Sequence, residues 1–331
     1  MPAKINKALL QKTNTWRRYP FSKSLISPVR FIYDKFYSIL LDKKSNFNPS
    51  NTIIVTGGGR SGTTWLAEIF SSLPNYCMIF EPEMLMKHRE ILYAPNFVDP
   101  NDDWPEGKEL FQSLIMGKNV TPHSFIRNSI MDIVNADSLV VKAMNLSKIL
   151  PWLSQNLLTR GLIHIVRHPC AVYLSSKRYF RPKQFKIGIR ETHYINNVLP
   201  DLSDYVYSLK KEEELFALRW CCNVHTALLH NKTESWANVS YERLVSDGFQ
   251  ELSRIFKIFR FTKDDMEIGS IMLKSSSSTS SRWSANHSMA STEERLGVWR
   301  KILKSEQIDN ILDVIHKFHI YAFTDDIYPV F

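Results

Sequence analysis

The chain has 331 residues, 44% of them hydrophobic and 12% aromatic, and its formal net charge is +9 at pH 7. This apolar content excludes a disordered chain, and the length is enough to bury a large core in one α/β domain. The positive charge favours anionic ligands, but the sequence holds no nucleic-acid-binding module, so a nucleic-acid partner is not expected.

The first fifty residues are basic and aromatic. They contain no apolar run of the ~20 residues that a membrane span needs and no signal-peptide core. We therefore predict an N-terminal extension over 1–50 and a single domain over 51–331, located in the cytoplasm. Aromatic and basic residues within 16–44 also allow peripheral contact with a membrane, although packing of this segment on the domain is the commoner outcome.

The four cysteines, Cys77, Cys170, Cys221 and Cys222, have neither metal-ligand nor disulfide-framework spacing. We predict that they are buried free thiols in a reducing compartment, which agrees with the predicted cytoplasmic location. The sequence does not indicate the oligomeric state.

A glycine-rich loop follows the first predicted strand and opens a helix. Consecutive glycines from Gly57 let the backbone take positive φ and turn its N–H groups inward, and the helix start at Gly62 adds free donors, so the loop predicts a phosphate site. The spacing also fits a Walker A pattern, but Thr63 stands where an NTPase needs lysine. The missing lysine favours a group-donating substrate that carries less charge than a triphosphate. Trp65, on the same helix, is predicted to pack in the core.

A second phosphate site is predicted at the end of the strand 161–166. This strand ends at Arg167, and the helix that follows carries Ser175, eight residues later. A phosphate held between the strand end and the helix can contact both side chains. Within the strand, His164 is expected to be a hydrogen-bonded core residue, and His168 is expected to orient Arg167.

Apolar runs predict strands at 52–56, 138–141, 161–166 and 235–239, with another strand ending at Phe80. Helices are predicted at 62–73, 107–117, 122–135, 147–158, 170–180, 212–231, 248–260 and 305–319. This alternation predicts an α/β fold, a P-loop-like parallel sheet flanked by helices on both faces, with ligands at the carboxyl ends of the strands. The segment 181–211 has no clear period and is predicted to be a lid or a partly disordered loop over an acceptor. The serine- and threonine-rich segment 274–281 is predicted to be flexible, either as a loop that closes over the nucleotide or as a passive linker.

Four segments resemble the motifs of sulfotransferases that use 3′-phosphoadenosine-5′-phosphosulfate (PAPS). The run Gly59–Leu66 resembles the loop for the donor's 5′-phosphosulfate, and Arg167 with Ser175 resembles its 3′-phosphate motif. The segment Asn238–Asp247 resembles a strand end whose tyrosine contacts the adenine. The segment Gly297–Arg300 resembles the Gly-x-Trp that closes the donor loop.

The resemblance implies that PAPS is the co-substrate and that no metal ion is required. It assigns donor binding to Gly59, Arg60, Ser61, Gly62, Thr63, Thr64, Arg167, Ser175 and Tyr241. The chain lacks the Arg-Lys-Gly clamp of the cytosolic branch, so Arg282 and Arg295 are the candidates to replace it. Over roughly residues 50 to 320 the pattern is therefore nearer to the carbohydrate branch.

The resemblance also implies which residues carry the chemistry. Arg60 supplies the charge that a lysine supplies in the cytosolic branch. Met144 occupies the position of that branch's histidine base, so Glu81 is taken as the base, in a Phe-Glu-Pro run that the carbohydrate branch also has. A glutamate that merely opens the next helix is the alternative, with Glu83 and His88 as reserve candidates.

The sequence therefore predicts a sulfotransferase that moves the sulfuryl group of PAPS to a hydroxyl of a carbohydrate, glycolipid-like or other small acceptor. Lys142, at the end of the third predicted strand, is expected to contact the sulfuryl group rather than to form a structural ion pair. A P-loop kinase or NTPase is the first alternative, disfavoured by Thr63 and by the lack of a clear Walker B aspartate. A noncatalytic nucleotide-binding protein, in which Met144 marks the loss of a base, is the second.

Overall fold

The computed structural model describes residues 39, 47–82, 98–118, 120, 122–125, 127–144, 146–179, 186–230, 235–276 and 291–331. Five strands of these residues form one sheet: β1 (Ile53–Gly57), β2 (Tyr76–Phe80), β3 (Ser138–Met144), β4 (Gly161–Val166) and β5 (Ala237–Ser240). All neighbours pair in parallel, in the order β2-β3-β1-β4-β5. The predicted α/β fold with a parallel sheet is confirmed.

Helices cover both faces of the sheet. In chain order the helices of the described residues are α1 (Thr63–Ser71), α2 (Pro105–Ile115), α3 (Ile130–Asn135), α4 (Leu150–Asn156), α5 (Pro169–Tyr179), α6 (Ile189–Val198), α7 (Ser203–Ser208), α8 (Glu212–Leu229), α9 (Tyr241–Ser246), α10 (Gly248–Ile258), α11 (Lys263–Ser276), α12 (Thr292–Leu296), α13 (Val298–Ile302) and α14 (Ser305–Lys317). Short 3₁₀ turns lie at Pro49–Asn51, Pro122–Phe125, Leu146–Ile149 and Pro200–Leu202.

Successive residues of the sheet face different cores, which explains why the strands read as continuous apolar runs. Ile54 and Val141 are fully buried on one face and pack in a cluster with Trp152 of α4. Val55 is fully buried on the other face, in a cluster with Phe70 of α1. A third cluster joins α5, α8 and α14 beside β4. Phe47 is also buried, so packing of the described chain begins before residue 50.

The strand order reverses at β1, which lies between β3 and β4. In a parallel sheet the carboxyl ends of the strands share one edge, and a ligand cleft opens where the order reverses. The register pairs Gly57 with Met144, Phe80 with Lys142 and Val166 with Ser240. The loops after all five strands therefore meet at this edge.

The prediction of a loop over 181–211 is wrong for its described part. The segment contains α6 and α7, separated by the turn Pro200–Leu202. Tyr194, Ile195 and Val206 are buried against the cluster of α5 and α8. Two short helices with a proline between them give no sustained 3.6-residue period, which is why the pattern was missed.

Two further predicted elements differ from the structure. The helix predicted over 122–135 is interrupted, because the side chain of Asn128 bonds the backbone of β2 at Met78 N (2.6 Å) and Met78 O (2.7 Å). The helix α11, Lys263–Ser276, includes the start of the predicted flexible loop 274–281, whose later residues lie outside the described chain. The four cysteines are free and buried, as predicted.

Candidate active site

The loop after β1 turns on Arg60 and Gly62. Their φ angles are 69° and 92°, both in the left-handed region. The expectation that the run Gly57–Gly59 takes positive φ is therefore wrong. Gly57 is required for another reason, since a Cβ there would lie 2.3 Å from the carbonyl oxygen of Ile165. This glycine lets β4 approach β1 closely.

The start of α1 presents donors that the helix does not use. Gly62 is the N-cap and offers no side chain to the first turn. The first amide bonded within the helix is that of Leu66, which donates to Gly62 O at 3.1 Å. The amides of Thr63, Thr64 and Trp65 precede it and so have no helical acceptor. Together with the positive end of the helix dipole, they suit a phosphate or another anion.

The two predicted phosphate motifs meet at this loop. Arg60 Nε donates to Ser175 Oγ at 3.1 Å. Arg167 Nη1 donates to the carbonyl oxygen of Arg60 at 3.2 Å. These contacts join residues 115 and 107 positions apart in the chain. The structure thus brings Arg60, Arg167 and Ser175 together at the carboxyl edge of the sheet, where the sequence analysis placed both motifs.

Two aromatic side chains line the same place. The guanidinium of Arg167 lies 4.4 Å from the centre of the Tyr241 ring. Trp65 meets that ring edge-on at 5.9 Å. A Cβ at Gly62 would lie 2.6 Å from the Tyr241 ring, so the glycine admits the tyrosine to the loop. Tyr241 therefore belongs to the site, and its contact with adenine stays a prediction.

Two buried donors in this group lack acceptors. Arg167 Nε and Trp65 Nε1 are buried and bond nothing in the described chain. A buried donor without a partner costs about 1–3 kcal/mol, so a ligand that supplies acceptors there is favoured. Sequence reasoning placed Trp65 in the core, and its side chain does pack against the cluster that contains Val55 and Phe70. Its place beside the phosphate loop was missed. The usable signal was its position in the first turn of the helix that the phosphate loop opens.

The remaining predicted donor-binding residues are dispersed. Gly59 is exposed, and Ser61 is buried with its amide donating to Gly58 O at 3.3 Å. Arg295 lies on α12, which packs on α9, and donates to Thr292 of its own helix at 3.2 Å. Arg282 lies outside the described residues.

Glu81 and Lys142 form an ion pair at the ends of β2 and β3. The Glu81 amide also donates to Lys142 O at 2.7 Å, and the ammonium lies 4.9 Å from the centre of the Phe80 ring. Lys142 is 1% exposed. The structural ion pair that the sequence analysis ranked second is therefore the arrangement found. Since β3 lies between β2 and β1, Glu81 is two strand spacings, roughly 10 Å, from the β1 axis.

The backbone of Glu81 is strained. Its φ is 47°, a region that a non-glycine residue rarely occupies and that costs on the order of 1 kcal/mol. Strained residues concentrate at functional sites, so this strain is a reason to propose a functional role for the carboxylate. The reserve candidates Glu83 and His88 lie outside the described residues.

A second ion pair lies beside this one. The guanidinium of Arg127 lies 4.8 Å from the centre of the Phe80 ring and 3.7 Å from Glu68 Oε1 on α1. Burial raises the pKa of the Glu68 carboxyl to about 6, although the Arg127 charge acts in the opposite direction. Phe80 thus contacts two cations. No sequence motif pointed to Arg127, because its place depends on Asn128 bonding the edge of β2.

His164 is buried in β4 with only one ring nitrogen bonded. Its Nδ1 lies 3.0 Å from Asn238 Oδ1 on β5, whereas Nε2 has no partner in the described chain. Burial lowers its pKa to about 4. The histidine is therefore a neutral core residue, as predicted, but only one of its two ring nitrogens has a hydrogen-bond partner in the described chain.

His168 points away from Arg167. Its ring stacks on Trp299 at 4.3 Å, and its Nε2 lies 2.9 Å from the carbonyl oxygen of Thr324. Burial lowers its pKa to about 4. The prediction that this side chain orients Arg167 is wrong, because the imidazole anchors the C-terminal segment instead.

The described residues hold no group of three or more His, Cys, Asp or Glu side chains placed to bind a metal ion. Among the same residues, no helix combines the length and hydropathy of a membrane span.

Several solved structures are distantly similar to this chain. Mouse sulfotransferase SULT7A1, complexed with PAP, is 17% identical, with a TM-score of 0.44 over 85% of this chain and 89% of its own. The sulfotransferase domain of the Synechococcus PCC 7002 olefin synthase is 18% identical, with a TM-score of 0.41 over 83% and 96%. Sulfotransferase STF9 from Mycobacterium avium is 13% identical, with a TM-score of 0.42 over 96% of both chains. No family model and no curated protein matches the sequence. Likeness at this level assigns no function, which must come from the residues of the chain itself.

Proposed function

We propose that the chain is a sulfotransferase that uses PAPS and sulfates a hydroxyl of a carbohydrate, glycolipid-like or other small acceptor. The observation that carries the proposal is the convergence of Arg60, Arg167 and Ser175 beside an uncapped helix start. Two separate phosphate-binding motifs that meet at one edge suit a ligand with two phosphates. Thr63, in place of the Walker A lysine, disfavours a triphosphate.

The residues present fit a 3′,5′-bisphosphate nucleotide. The free amides at the start of α1 suit the 5′-phosphate, and Arg167 with Ser175 suits the 3′-phosphate. The unpartnered Arg167 Nε and Trp65 Nε1 add two donors that lie beside the Tyr241 ring. The donor, when bound, supplies an activated sulfuryl group whose leaving group is the bisphosphate.

The chain's own groups have separate tasks in the transfer. Arg60 and the amides of α1 stabilise charge on the phosphate and the departing oxygen. The oxygen of the acceptor hydroxyl bonds to the sulfur while the bond from the sulfur to the bisphosphate oxygen breaks. Glu81 accepts the proton that the hydroxyl loses. Lys142 holds the Glu81 carboxylate in place through the ion pair. No step in this scheme needs a metal ion.

The proposal also covers the side from which the acceptor enters and the location of the protein. The proposed base lies at the ends of β2 and β3, so the acceptor hydroxyl enters on that side of the sheet. A cytoplasmic location is consistent with four free buried thiols. The segment 16–44, which we propose for peripheral membrane contact, lies outside the described residues.

Ligand-dependent thermal unfolding tests the proposal. At a concentration a hundredfold above its dissociation constant, 3′-phosphoadenosine-5′-phosphate should raise the free energy of unfolding by about 2.7 kcal/mol. ATP with Mg²⁺ at the same concentration should raise it far less. Equal stabilisation by ATP would favour the kinase alternative. Transfer from labelled PAPS to a panel of sugars, glycolipids and simple alcohols would then separate an enzyme from a noncatalytic binding protein. Chelation by EDTA should leave the transfer rate unchanged.

A further inference from the structure

Glu242, the residue after Tyr241, is a buried carboxylate that the proposed chemistry does not use. It is 1% exposed. Its Oε1 accepts a hydrogen bond from the His168 amide at 3.0 Å, and its Oε2 accepts one from Ser240 Oγ at 3.1 Å. The first bond spans 74 positions of the chain and joins the start of α9 to the turn between β4 and α5. A buried acidic side chain at this place needs an explanation.

The bonded amide belongs to the residue that follows Arg167. The imidazole of His168 is held elsewhere, by Trp299 and by the carbonyl oxygen of Thr324. Its Nδ1 also accepts the Cys170 amide at 3.2 Å, at the start of α5. The backbone of His168 is the part that directly adjoins Arg167. The carboxylate fixes this backbone at the point where the strand ends and the arginine side chain departs.

Consecutive residues of α9 thus hold both ends of Arg167. The ring of Tyr241 lies under the guanidinium at 4.4 Å, and the carboxylate of Glu242 holds the backbone just beyond the Cα. Arg167 Nη1 is further tied to Arg60 O at 3.2 Å. An arginine restrained at its base and at its tip loses little side-chain entropy when it binds a phosphate.

We infer that Glu242 is a positioning residue for the 3′-phosphate: by accepting the His168 amide it fixes the turn from which Arg167 reaches that phosphate. The inference rests on the proposed function, because it assumes that Arg167 binds a 3′-phosphate. It assigns the effect to the acceptor oxygen of Glu242 and not to its charge.

Burial raises the pKa of the Glu242 carboxyl, while the His168 amide and the charge of Arg167 act in the opposite direction. Two substitutions separate the effect of the hydrogen-bond acceptor oxygen from the effect of the negative charge. Glu242→Gln keeps an oxygen for the His168 amide and can donate to Ser240 Oγ, but it removes the charge. Glu242→Leu has a similar volume and removes both.

The experiment measures the 3′-phosphate preference, defined as the Kd of adenosine 5′-phosphate divided by the Kd of 3′-phosphoadenosine-5′-phosphate. For the wild-type protein we expect a preference of roughly 10–100-fold, the range for a charge-assisted contact. Arg167→Ala should abolish most of it. Glu242→Leu should reduce it to within about threefold of the Arg167→Ala value, whereas Glu242→Gln should retain most of it.

A purely structural role would not give this result, because a lower folded fraction reduces the apparent affinity for both nucleotides by the same factor. Glu251→Leu is the matched control, since Glu251 is also a buried glutamate, 8% exposed, but is paired with Arg254 on α10. It should lower stability and leave the preference unchanged. If Glu242→Leu does not fold, Glu242→Met replaces it, because that change also removes the acceptor oxygen and should lower the preference to the same extent.

The outcomes separate this inference from the proposed function. A wild-type protein with no 3′-phosphate preference overturns the proposed function, and the inference falls with it. If the wild-type protein has the preference and Glu242→Leu, or its replacement Glu242→Met, retains it in full, the inference alone is overturned. Equal loss in Glu242→Gln and Glu242→Leu overturns the assignment to the acceptor oxygen.

Discussion

The two halves of the candidate site differ in whether their buried polar and charged groups have partners within the protein. Around β1 and β4, which we call the donor half, the donors Arg167 Nε and Trp65 Nε1 are buried without acceptors in the described chain. Around β2 and β3, the base half, Glu81 is paired with Lys142 and Glu68 with Arg127. The donor half is thus prepared for an external anion, whereas the base half satisfies its own charges.

This difference suggests how binding energy is divided. A phosphate entering the donor half gains contacts without breaking protein hydrogen bonds at the two unpartnered donors. A substrate entering the base half meets a carboxylate that already has a partner. We therefore expect changes in the donor half to alter mainly affinity for the nucleotide, and changes in the base half to alter turnover or stability. Arg60 lies in the donor half, but the proposed function has it act on the transferred group, so it tests the boundary between the two halves.

The largest effect is expected in the base half. Glu81→Gln keeps the shape of the side chain but removes the proton acceptor, so turnover should fall by roughly 10²–10⁴ with near-native bisphosphate affinity. Single-turnover kinetics with labelled PAPS measure the first quantity, and thermal shift measures the second. Glu251→Gln, at a buried glutamate on α10, serves as the control. Nearly full turnover with chemistry shown to be rate-limiting would place the base elsewhere.

Arg60→Ala should lower turnover by roughly 10², with a smaller loss of bisphosphate affinity, because a charge that acts on the departing oxygen matters most in the transition state. Comparing kcat with the Kd of 3′-phosphoadenosine-5′-phosphate separates the two effects. If only the affinity for the bisphosphate falls, Arg60 binds the nucleotide without acting on the departing oxygen. That result would sharpen the contrast between the two halves.

Arg167→Ala should reduce bisphosphate affinity by about 1.5–3 kcal/mol, since it deletes a charge-assisted contact. Isothermal titration measures the change, with Arg254→Ala on α10 as a control that removes an arginine paired with Glu251. Unchanged affinity in a folded Arg167→Ala protein would remove this residue from the site and break the assignment of the donor half.

The smallest effect concerns stability and pH in the base half. Burial raises the pKa of Glu68 from 4.5 to about 6, so its ionisation opposes folding. The protonated form is present in both states below pH 4.5, and stability on the order of 2 kcal/mol is lost as the pH rises through about 6. Glu68→Gln should remove that loss. Urea unfolding at pH 4.5 and 7 measures it, and an unchanged pH dependence in the variant would contradict the assignment to Glu68.

The fold and the donor half were largely predictable from local patterns. Continuous apolar runs predicted four of the strands, because strands buried on both faces carry no polar alternation. The phosphate loop and the spacing of Arg167 and Ser175 are also local, and parallel strands place their carboxyl ends together without further information. For this reason, Arg60 and Ser175 could be assigned to one site although they lie 115 positions apart.

The base half was less predictable, because its partners depend on contacts between elements. The sequence identified Glu81 and Lys142 as candidates, but their ion pair follows from the register of Phe80 with Lys142. Arg127 was missed, since its position depends on the side chain of Asn128 bonding an edge strand.

By itself, the sequence determined the class of the fold, the two motifs that we propose bind phosphate, and the edge of the sheet at which they meet. These features depend on residue type and short spacing, which act through backbone geometry within a few residues. The tertiary structure alone decided which donors remain without acceptors, that His168 anchors the C-terminal segment, and that Glu242 holds the turn beside Arg167. Those properties depend on burial and on hydrogen bonds across more than 70 positions, where desolvation and chain packing, and not local propensity, set the outcome.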